Sequence, residues 1–432
     1  MASDAPQPEQ PAAPGGPTHP ALAPGGPVVL GLLALGLVSR TLLVAASPGT
    51  LDVTVWEGHA REIDRLGLVA YYRGGEFIFN HPPLAGWTVH GLHALAESSG
   101  LGFAMLLRAP FALLDAVTAW GLVCLAGSAG NRRLRDRRHL LGAVYWASPL
   151  AIIFSAQHGN TDSVVACSLV FALLAFSRGH FAWAGVALGL GAWFKIPGLL
   201  AAPALFFVLP DMRARVQFVG AASLTTLAGF APALVQDARA TVEAVFMYSG
   251  LRIQTTAGIP IFGPQVFYPD LASLSPGLQR VFVDAANAYY KADGAIVTGL
   301  MLIYSALRRR HRSPEELAFT IAHGYALIYA FTNFFAFQYF AWSLPLWLLA
   351  GWPMAIVGHL LASAYIWGLY AWLCEHILLL DTWRFLAKPI WPAWIRALRS
   401  ACVAFFLILG TTRLAQALRE ERRAWAPTAI EP

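Results

Sequence analysis

The segment 103–127 carries only two charges, Arg108 and Asp115, and it runs into Asn131-Arg132-Arg133-Leu134-Arg135-Asp136-Arg137-Arg138-His139. About 20 predominantly apolar residues cross a bilayer, and a short loop this basic stays on the cytoplasmic side. The junction constrains everything around it. With the N-terminus also inside, an even number of crossings precedes it, so the first long polar insertion, residues 47–102, lies outside. Composition agrees: with 57% hydrophobic and 12% charged residues among 432, the chain is too apolar for a soluble core. The net charge of +6 is gathered in short loops, where it reports topology, and nucleic acid is not an expected partner.

Residues 1–27 are rich in Ala, Pro and Gly, with Asp4 and Glu9 but no Lys or Arg. They lack the basic start of a secretory signal and read as a disordered cytoplasmic tail. A single membrane domain is expected over 28–410 and a cytoplasmic tail over 411–432. Crossings follow at 28–46, 103–127, 140–154, 164–176, 181–194, 197–209 and 216–235, with a second external loop at 236–293. The basic loops 308–312 and 413–423 then fall inside. About twelve crossings, within a range of 10–14, place every basic loop on one side. The run 84–96 is short for a crossing and is punctuated by His90, His93 and Glu97, which suits a helix at the interface. The expected fold class is therefore all-α, a polytopic integral membrane protein with juxtamembrane helices in the first external loop. Cys124, Cys167, Cys374 and Cys402 lie in apolar segments without a CxxC pair, so neither a disulfide nor a zinc site is expected.

This topology sorts the polar residues by side. The insertion after the first crossing holds Asp52, a run of charges from Glu57 to Arg65, and an Asn80-His81-Pro82-Pro83 corner. Asp52, His81, His158, Asp162, Lys195 and the Gln338-Tyr339 pair are far apart in sequence, yet all fall at or near the external face. Ionisable groups at membrane depth cost roughly 2.5 kcal/mol or more, so they line cavities or pair with one another. A cavity open to the outside is implied.

The succession Leu107-Arg108-Ala109-Pro110 with Asp115, then Pro149 with His158-Gly159-Asn160-Thr161-Asp162-Ser163, then Phe194-Lys195-Ile196-Pro197 resembles the polyprenyl-phosphate-dependent glycosyltransferases of the GT-C fold. Within them it is similar to bacterial mannosyltransferases related to those of glycosylphosphatidylinositol (GPI) anchor synthesis. In these families an Asp in the first external loop precedes a Tyr-Pro-Pro or His-Pro-Pro corner, and a Gly-x-x-Asp turn follows. Asp52, His81-Pro82-Pro83 and Gly159-Asn160-Thr161-Asp162 stand in those places. The resemblance covers roughly 50–203. Asn160 stands where many relatives carry Gln, and the identity of the acceptor does not carry over. The resemblance implies a polyprenyl-phosphate-linked sugar donor, mannose by analogy, and a glycan, lipid or protein acceptor, with membrane lipids as surroundings.

Transfer with inversion needs a base for the acceptor hydroxyl and cations for the departing lipid phosphate. Asp52, the first acid after a crossing, is the candidate base; as an alternative it caps a helix over 53–66. Lys195 is the candidate for the phosphate, or snorkels to the headgroups. Arg108 carries the same two readings. Asp115, at i+7 from Arg108, reads as a partner for another helix. His81 turns the corner or touches sugar. His158 and Asp162 suit hydrogen bonds to sugar or phosphate better than a metal, and no cofactor is expected. Gln338 and Tyr339, among Phe334, Phe335, Phe337 and Phe340, belong to a substrate contact or an aromatic belt. High Ala, Gly and Arg usage points to a bacterial inner membrane with the site facing outward. A secondary transporter is the alternative; the long external loops and the lack of an internal repeat weigh against it.

Overall fold

The computed structural model describes residues 23–74, 79–247, 262–269, 273–333, 336–388 and 390–425. Residues 1–22 of the expected N-terminal tail, 248–261 and 270–272 of the loop 236–293, and Phe334 and Phe335 lie outside them. Every regular element among the described residues is helical.

Helix α1 (Pro27–Ala46) starts on a proline at its first turn and is the first expected crossing. The insertion after it folds into α2 (Leu51–Leu66), α3 (Leu68–Gly74) and α4 (Pro83–Ser99), the last being the expected interfacial helix. Along α2, Val53, Trp56, Ala60 and Ile63 recur at helical spacing and are buried. They pack with Leu68, Tyr71, Phe79 and Val89 onto Leu107 and Phe111 at the start of α5 (Phe103–Gly127). The insertion is thereby seated as a cap on one end of the bundle.

Beyond α5 come α6 (Arg132–Asp136), α7 (Arg138–Trp146), α8 (Pro149–Ile152), α9 (Asp162–Ser177), α10 (Phe181–Ala192), α11 (Ala202–Phe206) and α12 (Met212–Phe246). Then follow α13 (Pro276–Leu307), α14 (Pro314–Phe331), α15 (Leu344–Trp347), α16 (His359–Cys374) and α17 (Ala393–Trp425). Among the described residues five helices are long and apolar enough to cross a membrane, six if the pair Arg138–Trp146 and Pro149–Gln157, bent by 44°, counts as one. Three shorter apolar helices, Asp162–Ser177, Phe181–Ala192 and Ile196–Phe206, occupy positions where full crossings were expected. The count of twelve rested on treating each apolar run as a crossing, and several runs are too short to span alone.

Two boundaries differ from expectation. Helix α12 continues past 236 to Phe246, with non-helical backbone at Asp237, whose carboxylate accepts from Ala240 N and from Arg73 Nε at 2.7 Å. Helix α17 runs through position 410 as far as Trp425, so the described part of the expected tail is helix.

Small residues let the backbones approach closely, as is usual between membrane helices. A Cβ on Gly185 of α10 would lie 2.2 Å from the Phe218 carbonyl oxygen of α12, and one on Gly189 would lie 2.7 Å from Thr225. The basic segments gather at one end of the bundle. Glu315, in the first turn of α14, accepts from the backbone N–H groups of Gly130 and Asn131, while Arg308 and Arg309 pair with Glu420 and Glu421. The cap formed by α2 to α4 sits at the opposite end of α5, about 37 Å away at 1.5 Å per residue.

Inside the bundle Asp115 does meet another helix. Its carboxylate accepts from Arg40 of α1 at 2.7 Å and from Tyr145 Oη of α7 at 3.1 Å, and the guanidinium lies over the Trp146 ring at 3.9 Å. Both charges are almost wholly buried. Asp115→Leu alone should therefore destabilise by about 3–5 kcal/mol by leaving Arg40 unpaired, and Arg40→Leu/Asp115→Leu should recover most of that loss. Thermal unfolding of the three proteins in one detergent checks this.

Candidate functional site

The site is assembled where α1 ends, α2 begins and the chain turns from α8 into α9. Five donor contacts from the buried Arg108 guanidinium fix that junction. Nε donates to the Ala104 carbonyl at 2.8 Å, and the two terminal nitrogens reach the carbonyls of Leu43, Val44, Ser47 and Ala156. The first three belong to the C-terminal end of α1, where only Leu43 also has a backbone partner, the Ser47 N–H at 3.1 Å. Arg108 was expected to face a lipid phosphate. Its donors are committed to main chain instead, and the residue holds two segments of the site together.

Thr50 occupies the N-cap of α2 and Asp52 lies inside the first turn, so the alternative of Asp52 as a helix cap is not realised. Its Oδ2 is bound twice, by His158 Nε2 at 2.8 Å and by the Asn160 amide at 3.1 Å. The side chain retains 38% exposure, and Oδ1 is the oxygen left facing the opening. His158 is held from behind: the Tyr370 hydroxyl lies 2.7 Å from Nδ1, and Thr50 Oγ1 lies 3.4 Å from it. Asn160 is held in turn, its Oδ1 accepting from the backbone N–H of Thr161. Five residues of a π-helical turn, Ile153–Gln157, followed by Gly159 at φ +65°, bring His158 and Asn160 round to Asp52. A Cβ at Gly159 would press within 2.6 Å of Arg108 Cγ, and a positive φ is strained for other residues.

Burial pushes the Asp52 carboxyl up. The His158 imidazole, the Lys195 ammonium and the Asn160 amide outweigh it, and together they hold the group below its ordinary 3.8. The carboxylate is thus ionised at neutral pH. Its stabilising interactions are present above the unfolded value and are lost only as pH falls through the lowered one. Burial drives His59 in the opposite sense, down to about 4, against the Asp52 charge that raises it. His81 is pushed well below its ordinary 6.5 by burial and by the Lys195 and His59 charges, so it is neutral at pH 7. The His81 ring lies 4.4 Å from Trp56, and its carbonyl accepts from Tyr72 Oη at 2.7 Å. A flat, half-buried imidazole backed by an indole suits contact with a sugar face.

Asp162 and Lys195 form a second, closed pair. Lys195 Nζ donates to Asp162 Oδ2 at 2.9 Å, and Trp342 Nε1 donates to Oδ1. Asp162 has no exposed surface, so it serves as an internal counter-ion and is not available to a substrate. Lys195, expected as a lone cation, has its anion within the protein, and Tyr339 presents its ring 5.5 Å from the ammonium. Tyr339 stacks on Trp342 at 4.1 Å. Gln338 is 7% exposed, and its Oε1 has no hydrogen-bond partner, so an acceptor oxygen is left for something else. Beside the pair, an apolar recess lined by Trp56, Val89, Leu107, Phe111, Thr161 and Phe194 opens between α2, α4 and α5. No group of three His, Cys, Asp or Glu side chains among the described residues is arranged to hold a metal.

Of the expected site residues, Asp52, His81, His158 and Lys195 converge, with Asp162 behind Lys195 and the segment of Gln338 and Tyr339 alongside. Asn160, Tyr370 and Trp342 were not expected. Asn160 was legible as the polar residue of the Gly159 turn. Tyr370 and Trp342 were not, since they come from segments whose sequence reads as apolar core.

Residues 65–247 match the family described as the GPI transamidase subunit PIG-U. GPI mannosyltransferase 1 of Saccharomyces cerevisiae is 28% identical over 160 residues, 35% of this chain and 37% of the yeast protein. Over that stretch the chain is similar to a GPI mannosyltransferase. It spans little more than a third of the yeast enzyme's length in that match. The family match over 65–247 embraces α3 to α12, and so the turn that carries His158 and Asn160.

Since the Asn160 amide is one of the groups that hold the Asp52 carboxyl down, Asn160→Ala should raise that group toward its ordinary value. The acid limb of a pH–rate profile for transfer should move up accordingly.

Proposed function

We propose that the protein is an inverting glycosyltransferase that moves a sugar, mannose by analogy with its yeast relative, from a polyprenyl-phosphate carrier to a hydroxyl acceptor on the outer side of the membrane. The observation that carries this reading is Asp52. One carboxylate oxygen is saturated by His158 and Asn160, while the side chain as a whole keeps 38% exposure.

In this mechanism the acceptor oxygen attacks the anomeric carbon as its proton passes to Asp52 Oδ1. The bond from that carbon to the phosphate oxygen breaks, and its electron pair leaves with the lipid phosphate. Lys195 has ammonium hydrogens beyond the one given to Asp162, and its positive charge favours the growing charge on the leaving group. The paired Asp162 keeps the ammonium in place between turnovers. His81 and the Gln338 oxygen are poised for sugar hydroxyls.

A second reading follows from the family match. The chain could recognise a glycolipid without transforming it, as a subunit does, with the Asp52 cluster binding sugar hydroxyls.

Asp52→Asn separates the two. It keeps the volume and one acceptor oxygen but removes the base, and general-base catalysis contributes on the order of 10²–10⁴-fold. Transfer from a polyprenyl-phosphate sugar should fall by that factor with donor binding and thermal stability retained. An Asn variant with near-normal turnover would overturn catalysis by Asp52. The orientation is tested separately: single cysteines at Glu57 and Arg61 on α2 should react with an impermeant maleimide in intact cells, whereas one at Arg135 should react only after lysis.

A further inference from the structure

The contact between Asp52 and His158 places a demand on the far side of the imidazole. Asp52 is ionised at neutral pH, and a carboxylate accepts without donating, so the hydrogen in this contact sits on His158 Nε2. Which ring nitrogen of a histidine carries the hydrogen is set by what the other one meets. A main-chain carbonyl facing Nδ1 would draw the hydrogen there and turn a bare Nε2 toward the negative charge. Nδ1 meets two hydroxyls instead, Tyr370 Oη at 2.7 Å and Thr50 Oγ1 at 3.4 Å. The longer contact is beyond the usual hydrogen-bonding range, so Tyr370 is the principal donor.

Tyr370 lies near the C-terminal end of α16 and is wholly buried. Its hydroxyl makes no other hydrogen bond among the described residues, which leaves its hydrogen for Nδ1. The segment after α16 keeps the ring in place. Glu375, with φ at 53°, pairs with Arg384 at 2.6 Å and with Lys388 at 2.8 Å, while Lys388 also donates to the Trp372 carbonyl at 2.6 Å. The chain thereby folds back on the end of the helix, and the ring centroid of Trp383 lies 4.6 Å from that of Tyr370. The same fold is tied to the chain just after α1, since the Leu379 carbonyl accepts from Ser47 Oγ at 2.9 Å. Ser47 is also one of the residues whose carbonyl Arg108 binds, so Tyr370 is referenced to the junction that sets His158 against Asp52.

We propose that Tyr370 is a positioning residue for the transfer: its hydroxyl donates to His158 Nδ1, keeps the hydrogen on Nε2 and so fixes Asp52 Oδ2 as the bound oxygen, leaving Oδ1 to take the proton of the attacking hydroxyl. This rests on the reading of Asp52 as the base. Tyr370 itself touches no reacting atom and acts through His158.

The test joins a double-mutant cycle to a spectrum, both on the full chain in detergent. Tyr370→Phe removes one hydroxyl and keeps the ring. It should lower kcat for transfer from a polyprenyl-phosphate sugar about tenfold, the value of one hydrogen bond, with donor KM and unfolding temperature unchanged. Added to Asp52→Asn, it should cause no further loss, since the two act as a unit. In the nitrogen NMR spectrum of protein carrying isotope-labelled histidine, His158 is assigned by the signals that disappear in His158→Gln. It should show a bare Nδ1 and a protonated Nε2, and the Nδ1 signal should shift in Tyr370→Phe. Should that variant fold poorly, the wild-type spectrum decides. A hydrogen on Nδ1 in the wild-type chain, a normal kcat in Tyr370→Phe, a loss confined to KM, or an equal loss with and without Asp52→Asn would each overturn the inference and leave Asp52 as the base. Normal turnover in Asp52→Asn alone would overturn the parent reading, and this inference with it.

Discussion

The guanidinium of Arg108 is the contact on which the arrangement of the candidate site's end of the bundle depends. A helix C-terminus buried against other helices leaves carbonyls that water cannot reach, and each would oppose folding if left alone. Arg108 answers the carbonyls of Leu43, Val44 and Ser47 from one planar group, and the same group takes Ala156 from the turn leading to His158. Asp52 begins five residues beyond Ser47, and His158 lies two beyond Ala156. A single side chain therefore sets the distance between the two residues that form the 2.8 Å contact at the centre of the site. Lysine could not replace it, because one ammonium lacks the fork needed to meet carbonyls from two segments.

Two carboxylates at this end have opposite fates, and their surroundings explain why. Asp162, at the first turn of α9, is enclosed, and both its oxygens are spent on Lys195 and Trp342. Asp52 gives one oxygen to His158 and Asn160 and keeps the other toward the opening. A buried acid without a cation would protonate or unfold the site, so Asp162 and Lys195 stand together. An acid that must accept a proton needs an open lone pair and an ionised resting state, and Asp52 has both. The lysine links the two. Paired with Asp162, it still contributes to holding the Asp52 carboxyl down.

The insertion that carries Asp52 is stabilised by a small core of its own. Val53, Trp56, Ala60 and Ile63 close against Leu68, Phe79 and Leu107, so α2 is fixed over the end of α5. Trp56 belongs to that core and also backs the His81 ring, which couples the packing of the cap to the shape of the site. The salt bridge from Arg73 to Asp237 ties the same cap to the kink in α12.

The sequence by itself determined the class of the protein and which of its polar residues gather at one end of the bundle. Long apolar runs demand helices in a bilayer, and basic loops lie at one end of the bundle because charge resists transfer through hydrocarbon. It also marked Asp52, His81, His158 and Lys195, since polar residues at the ends of apolar runs are costly unless used. What it left open were the partners. Lys195 read as a lone cation because Asp162 is 33 residues away, and Arg108 read as a phosphate ligand because the carbonyls it meets belong to main chain and have no signature. Arg40, a charge inside the first crossing, was a visible signal of a buried pair with Asp115, although helix packing alone decides which acid it meets. Tyr370 and Trp342 come to the site from segments that look like core. Only tertiary structure could deliver them, because a pairing between residues far apart in the chain is fixed by the packing of helices and not by local pattern.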